Sequence, residues 1–166
     1  MNKQFGFLKE VINCDSDFLS LLSAVNAGKL PAVCTGLGGI YKAVNIAVLS
    51  EEVKTPITVI TSGEAEAYAL YNDLVSLGVD ALYYPLRDLS LAGIYGESRE
   101  YEHKRIHTLS AVAGGDFRVL IMSVDAATEP TIPKEKLISG TFTLSVGKEF
   151  DLNDLTERLI DGRAHV

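Results

Sequence analysis

The residues best placed to do chemistry are the glycines of Thr35-Gly36-Leu37-Gly38-Gly39-Ile40, which separate an apolar run from a stretch of helical composition. A strand, a glycine turn and a helix in that order can cradle a phosphate, because amides at a helix N-terminus favour an anion. A triphosphate also needs G-x-x-x-x-G-K-[ST], whose lysine meets the β- and γ-phosphates and whose hydroxyl holds magnesium. Laid over Val33 to Ile40, only the penultimate glycine, Gly38, fits that pattern. Val33 stands at the first glycine, Gly39 at the lysine and Ile40 at the hydroxyl. Thr35, Gly36, Gly38, Gly39 and Ile40 therefore read as a degenerate phosphate loop, and no cofactor is expected on them. Lys42 is the candidate for a displaced phosphate ligand, and it defines the alternative reading, a nucleotide-binding P-loop ATPase or helicase domain. The dinucleotide fingerprint fails as well: Tyr41 occupies its third glycine, and the next strand ends at Thr61 with no Asp or Glu there.

Other constellations are weaker. Glu100, His103 and His107 share a helical face, but Lys104 and Arg105 between the histidines oppose a divalent cation, and no glutamate follows His103. A solvated, salt-bridged face of Glu100, Glu102, Lys104 and Arg105 is the expected arrangement, with no metal. Ser98 and Ser123 lack the elbow glycines and the spaced His–Asp partners of a nucleophile, so no catalytic residue is assigned. Arg87, Asp88 and Arg99, with Arg158 on the last predicted helix, are candidates for a partner surface. Tyr83, Tyr84 and Tyr95 have no basic groove to make them a base-stacking platform, and read as packing residues. Cys14 and Cys34 lack metal-ligand spacing and read as free thiols.

Alternating elements must position these residues. Phe18, Leu21, Leu22 and Val25 predict an amphipathic helix, capped at Asp15 or Ser16 and stopped by Gly28. Leu30–Thr35 predicts a buried strand, and Ile40–Lys54 a helix with Ile40, Val44, Ala47 and Val48 on one side. A second buried strand is expected at Ile57–Thr61, a helix at Ser62–Leu77, a third strand at Ala81–Tyr84, and a surface loop over Leu86–Gly96. Ser98 should cap a helix whose inward residues are Tyr101, Ile106, Leu109 and Val112. A fourth strand follows at Phe117–Ser123. Such alternation means an α/β fold with a parallel sheet flanked by helices.

Beyond Ser123 the pattern changes. Pro130 and Pro133 mark an irregular crossing, Thr141–Val146 alternates with period two, and Asp151 should cap a final helix carrying Leu152, Leu155 and Leu159. A boundary near 138–140 divides a first domain, 1–138, from the beginning of a second, 139–166. The 166 residues are 47% hydrophobic, enough for a real core. With 15 Lys and Arg against 22 Asp and Glu, the formal charge is 15 − 22 = −7, which argues against wrapping duplex DNA unaided. No signal peptide is evident. The apolar run Leu30–Tyr41 contains three glycines and falls short of the roughly 20 residues a bilayer requires. A cytoplasmic protein with no membrane partner is the expectation.

Several blocks in order resemble a known family. Leu30-Pro31-Ala32-Val33-Cys34-Thr35-Gly36-Leu37-Gly38-Gly39, Tyr83-Tyr84-Pro85-Leu86-Arg87-Asp88-Leu89 and Ser98-Arg99-Glu100-Tyr101-Glu102-His103-Lys104-Arg105-Ile106 are similar to the amino-terminal part of bacterial transcription-repair coupling factors. Val119-Leu120-Ile121-Met122-Ser123-Val124-Asp125-Ala126 and Pro130-Thr131-Ile132-Pro133 extend the likeness, which runs from about Phe18 to Leu159. The resemblance implies a UvrB-like, RecA-type helicase domain whose phosphate loop has decayed, followed by the start of a small α+β domain. It implies a non-catalytic docking module with UvrA as one partner. The carboxy-terminal domain of the same full-length protein would be the other, masking that surface at rest. RNA polymerase and DNA would be engaged only through downstream domains, which in the family include the ATP-driven translocase. The family's UvrA contacts lie mainly on an Arg- and Gly-rich segment beyond the helix that starts here near Asp151. The family's Gly-Tyr pair after that helix is replaced here by Asp161-Gly162-Arg163-Ala164-His165-Val166, so no UvrA-contact residue carries over.

Overall fold

A computed structural model describes residues 3–87, 100–115 and 117–141, together with 146, 147, 149, 151–153 and 156. Three parallel strands, β1 (Ile57–Thr61), β2 (Ala81–Tyr84) and β3 (Val119–Ser123), form a sheet in the order β1-β3-β2. The continuously apolar Val119–Met122 suits the central strand, which is covered on both faces. The register sets Ile57 and Ala81 beside Val119, and Val59 and Tyr83 beside Ile121. These side chains face one layer, and Leu82, Tyr84, Leu120 and Met122 face the other.

The first layer holds four helices: α1 (Lys3–Asn13), α2 (Ser16–Asn26), α3 (Ile40–Glu52) and α4 (Glu64–Ser76). Ala43, Val44, Ala47 and Val48 of α3 and Ala67, Leu70 and Leu74 of α4 close over Val119 and Ile121, with Ile12 and Phe18 beneath. Small residues on the α3 face let it pack closely against α4 and α1. Asp15 caps α2 by accepting the Asp17 N–H at 2.9 Å, and Gly28 ends it at φ +65°. No periodic stripe announces α1: Gly6 interrupts it, and Phe7 and Val11 lie exposed while Ile12 is buried. Lys9 ties it to the end of α3 through Glu51 at 2.6 Å and Glu52 at 3.1 Å.

The second layer contains α5 (Glu100–Gly114), and the chain continues through α6 (Val124–Thr128) and α7 (Lys134–Gly140). Leu109 and Val112 pack beneath Tyr84 and Leu120 as the spacing predicts. Tyr101 and Ile106 do not: they are exposed, and Arg105 and Thr108 are buried in their place. The inward stripe is therefore Arg105, Thr108, Leu109 and Val112, an i, i+3, i+4, i+7 set. Arg105 is correspondingly not part of a solvated face.

The larger correction concerns Leu30–Thr35. These residues form no strand and lie exposed, Val33 at 89%. A strand exists only by pairing, and apolar composition without a hydrogen-bonded neighbour leaves an extended run in solvent. With that neighbour missing, β1 is an edge strand and not a doubly buried one, and Thr58 and Ile60 are exposed. Pro130–Pro133 is irregular as expected. The alternating residues 142–145 and most of the final predicted helix lie outside the described residues. Asp151 does accept the Asn153 N–H at 2.8 Å, as a helix cap would.

Candidate functional site

In an open parallel sheet the carboxyl ends of the strands are where ligands and partners gather. Here those ends are bound together by one carboxylate. Glu64, in the first turn of α4, accepts the Tyr83 hydroxyl and the Leu86 N–H (2.9 Å) on Oε1, and the Ser123 hydroxyl (2.7 Å) on Oε2. The end of β2, the segment after it and the end of β3 thus meet at the first turn of the helix that follows β1. Ser123 is fully buried, and its oxygen also accepts the Ala126 N–H, capping α6. Burial, then the bond to Glu64, pushes the Tyr83 hydroxyl pKa well above the ordinary tyrosine range. Tyr83 also packs against Tyr68 and Tyr71, with centroids 5.5 and 5.6 Å away.

Arg105 makes the second junction. Its guanidinium donates to the Pro85 carbonyl at 2.7 Å, pairs with Glu129 at 2.8 Å and lies 4.2 Å from the Tyr84 ring centroid. Glu129 in turn accepts the Arg87 N–H at 3.2 Å. One buried cation thereby fixes α5, the chain leaving β2 and the turn after α6. Arg118 acts likewise at the opposite end of the sheet, donating to the Ser50 and Val53 carbonyls at the end of α3.

The glycine turn is largely exposed. Gly36 and Gly39 adopt φ of +81° and +53°, which only glycine takes easily. The Tyr41 and Lys42 amides at the start of α3 bend back to the Gly38 and Gly39 carbonyls, both at 3.2 Å. Lys42 does not point at the turn unengaged: its ammonium meets Glu66 of α4 at 2.7 Å. The Lys42 bond, followed by one from Ser62, holds the Glu66 carboxyl below the usual glutamate range. Lys42 is thus already paired with a carboxylate. Tyr41 donates to Asp15 at 2.8 Å, joining the starts of α2 and α3.

Among the partner-surface candidates, Arg87 is half exposed and 3.7 Å from Glu102. Asp88, Arg99 and Arg158 lie outside the described residues. Tyr83 and Tyr84 pack as expected; Tyr95 is outside the described residues. Cys14 and Cys34 are free and exposed. Among the described residues, no three His, Cys, Asp or Glu side chains gather as metal ligands, and no helix is long and apolar enough to cross a membrane.

Glu64, Arg105 and Ser123, which organise the strand ends, are not singled out by any catalytic motif. Arg105 and Ser123 fall within blocks that carry the resemblance, as do Tyr83 and Pro85, whereas Glu64 lies outside them. A transcription-repair-coupling factor of Bacillus subtilis (strain 168) is 27% identical over 157 residues, covering 93% of this chain and 13% of the relative. The chain is similar to transcription-repair-coupling factors. One from Staphylococcus aureus (strain MRSA252) is 26% identical over 136 residues, 81% of this chain and 12% of the relative. The chain therefore spans about one eighth of the length of the transcription-repair-coupling factors it matches. No family model and no solved structure matches it.

Proposed function

We propose that this chain is a non-catalytic docking module of the transcription-repair-coupling factor type, equivalent to the amino-terminal, UvrB-like region of such proteins. The observation that carries the reading is the match over 93% of the chain to a transcription-repair-coupling factor. The pairing of Lys42 with Glu66 and the absence of a lysine and hydroxyl at Gly39 and Ile40 support a decayed phosphate loop in place of a working one. In this reading the chain helps to recruit UvrA and contributes to autoinhibition by packing on the carboxy-terminal domain of a full-length protein. RNA polymerase and DNA are engaged elsewhere in that protein. Residues 1–138 form the helicase-type domain and 139–166 begin the next one. Arg87, with Asp88, Arg99 and Arg158, contributes to the partner surface, and the protein works in the cytoplasm.

The test is a pull-down of UvrA with this chain and with a version extended through the following domain of a matching relative. Recovery by the extended protein is expected; recovery by neither overturns the docking role. Millimolar ATP with magnesium should leave the melting temperature unchanged. A ligand at about 100 times its dissociation constant would add about 2.7 kcal/mol, so a clear rise would favour a nucleotide site using Lys42.

A further inference from the structure

Three consecutive residues that leave β2 have their backbone held by charged side chains from three other segments. The Pro85 carbonyl accepts from the Arg105 guanidinium of α5 at 2.7 Å. The Leu86 N–H donates to Glu64 of α4 at 2.9 Å, and the Arg87 N–H donates to Glu129, after α6, at 3.2 Å. These residues belong to neither helix nor strand, so no ladder of their own fixes them. Glu64 comes from the first helical layer and Arg105 from the second. Apolar packing would join the same segments without the desolvation cost of a buried ion pair; what the charges add is a defined position for this stretch of backbone.

What that backbone carries outward is the side chain of Arg87. Pro85 is fully buried and Leu86 packs against the cluster of Tyr84, Leu120 and Ala126, whereas the Arg87 side chain is 45% exposed. Among the described residues its guanidinium meets one carboxylate, Glu102 of α5, at 3.7 Å, and Glu102 is itself 38% exposed. A charge-assisted hydrogen bond closes to about 2.7–2.9 Å, so this contact is an ion pair in solvent and not a hydrogen bond. Exposed pairs of this kind hold little free energy, and a second carboxylate can replace the first at small cost. The planar fork of an arginine suits a carboxylate that accepts two bonds side by side. Charge narrows the partner further. Glu64, Glu102 and Glu129 surround the site in a chain of net charge −7, which disfavours a polyanion such as nucleic acid. A single carboxylate, brought in while Glu102 turns to solvent, meets one cation with one anion.

The geometry points to Arg87 as the anchor of a docking surface for an acidic peptide segment of a partner protein. Glu64 and Glu129 are its positioning residues, since they fix the backbone from which the guanidinium projects. Glu102 is the internal competitor, the carboxylate that a partner displaces. This inference rests on the docking role proposed above and adds to it the chemistry of the partner.

An NMR titration of the whole chain tests this, with the Leu86 and Arg87 amides as local probes and the β3 amides as the standard for folding. The added probe is a short capped peptide with adjacent glutamates; its glutamine counterpart and oligothymidylate are the comparisons. A saturable millimolar shift is expected with the glutamate peptide alone, and it should vanish in Arg87→Ala, a surface substitution that leaves the β3 amides in place. Glu102→Gln should bind the peptide about two- to fivefold more tightly, a gain that a merely structural pair would not give. Glu129→Ala releases the Arg87 N–H and should weaken binding about fivefold, while Glu129→Gln keeps an oxygen for that N–H and should restore most of the affinity. No saturable shift, equal binding of the glutamine peptide, binding that survives Arg87→Ala, or no gain in Glu102→Gln would each overturn the proposal. A stronger shift with oligothymidylate would do the same and make the site one for nucleic acid. The docking role is judged separately by the pull-down: an extended protein carrying Arg87→Ala that recovers UvrA as well as its parent does overturns the anchor alone, whereas failure of the parent overturns docking itself.

Discussion

Replacing Arg105 with alanine tests whether the junction at the strand ends is a buried clamp. The side chain is 8% exposed, and the substitution removes the bond to Pro85, the pair with Glu129 and the contact with Tyr84. Breaking a buried ion pair from one side typically costs about 3–5 kcal/mol, because the remaining charge stays desolvated. Glu129 is itself 18% exposed and keeps the Arg87 N–H, so it recovers some solvation. An expected loss of about 2–3 kcal/mol follows. For a chain of this size that corresponds to a fall in melting temperature of roughly 5–10 °C. Arg105→Lys should lose less than alanine, since a compact ammonium can keep Glu129 but cannot also reach the carbonyl and cover the ring. The assay is urea and thermal unfolding followed by circular dichroism, repeated in 1 M NaCl. A double-mutant cycle with Glu129→Gln should give a coupling of about 1 kcal/mol or more. An alanine variant melting within 1 °C of the parent, or a loss that disappears in high salt, would refute the clamp, since only solvent-exposed pairs are screened that way.

The Glu64 junction makes a pH prediction. The raised Tyr83 pKa means that the hydroxyl stays neutral in the folded state while an unfolded tyrosine ionises near pH 10. Its contribution is fully present below pH 10 and is lost as pH rises toward the folded value; ultraviolet titration at 295 nm should find one tyrosine ionising later than the rest, and earlier in Glu64→Gln. Lys42→Ala should change stability by no more than about 0.5 kcal/mol, because the pair with Glu66 is exposed at both ends. The same variant should raise the Glu66 pKa toward the ordinary glutamate value in an NMR titration, whereas removing an unpaired Lys42 would leave it unchanged. Ser123→Ala leaves a Glu64 oxygen and the Ala126 N–H without their hydroxyl partner, and should cost about 1–3 kcal/mol by urea unfolding.

What was legible in the sequence depended on whether its cause was local. The 3.6-residue stripe of Phe18, Leu21, Leu22 and Val25, the glycine stop at Gly28 and the short strand-like runs at Ile57 and Val119 each declare themselves within a few residues, and the structure has those elements. The stripe on α5 was also written in the sequence, but the buried set includes Arg105. A charged residue at an inward position reads as surface unless its partners are known, and Pro85, Glu129 and Tyr84 come from three other segments. Glu64 was hidden for the same reason. An acidic residue in the first turn of a helix is ordinary dipole complementarity, and only the folded sheet brings Tyr83 and Ser123 to it.

At the glycine turn the motif and its setting have different causes. Mismatches at Val33, Gly39 and Ile40 are properties of single positions, so the sequence suffices to identify them. Whether Leu30–Thr35 is a strand is a property of two segments. Composition supplies the propensity, but a ladder has to come from a neighbouring strand. Among the described residues Leu30–Thr35 has no such neighbour, and Val33 lies in solvent although the run is as apolar in composition as β1.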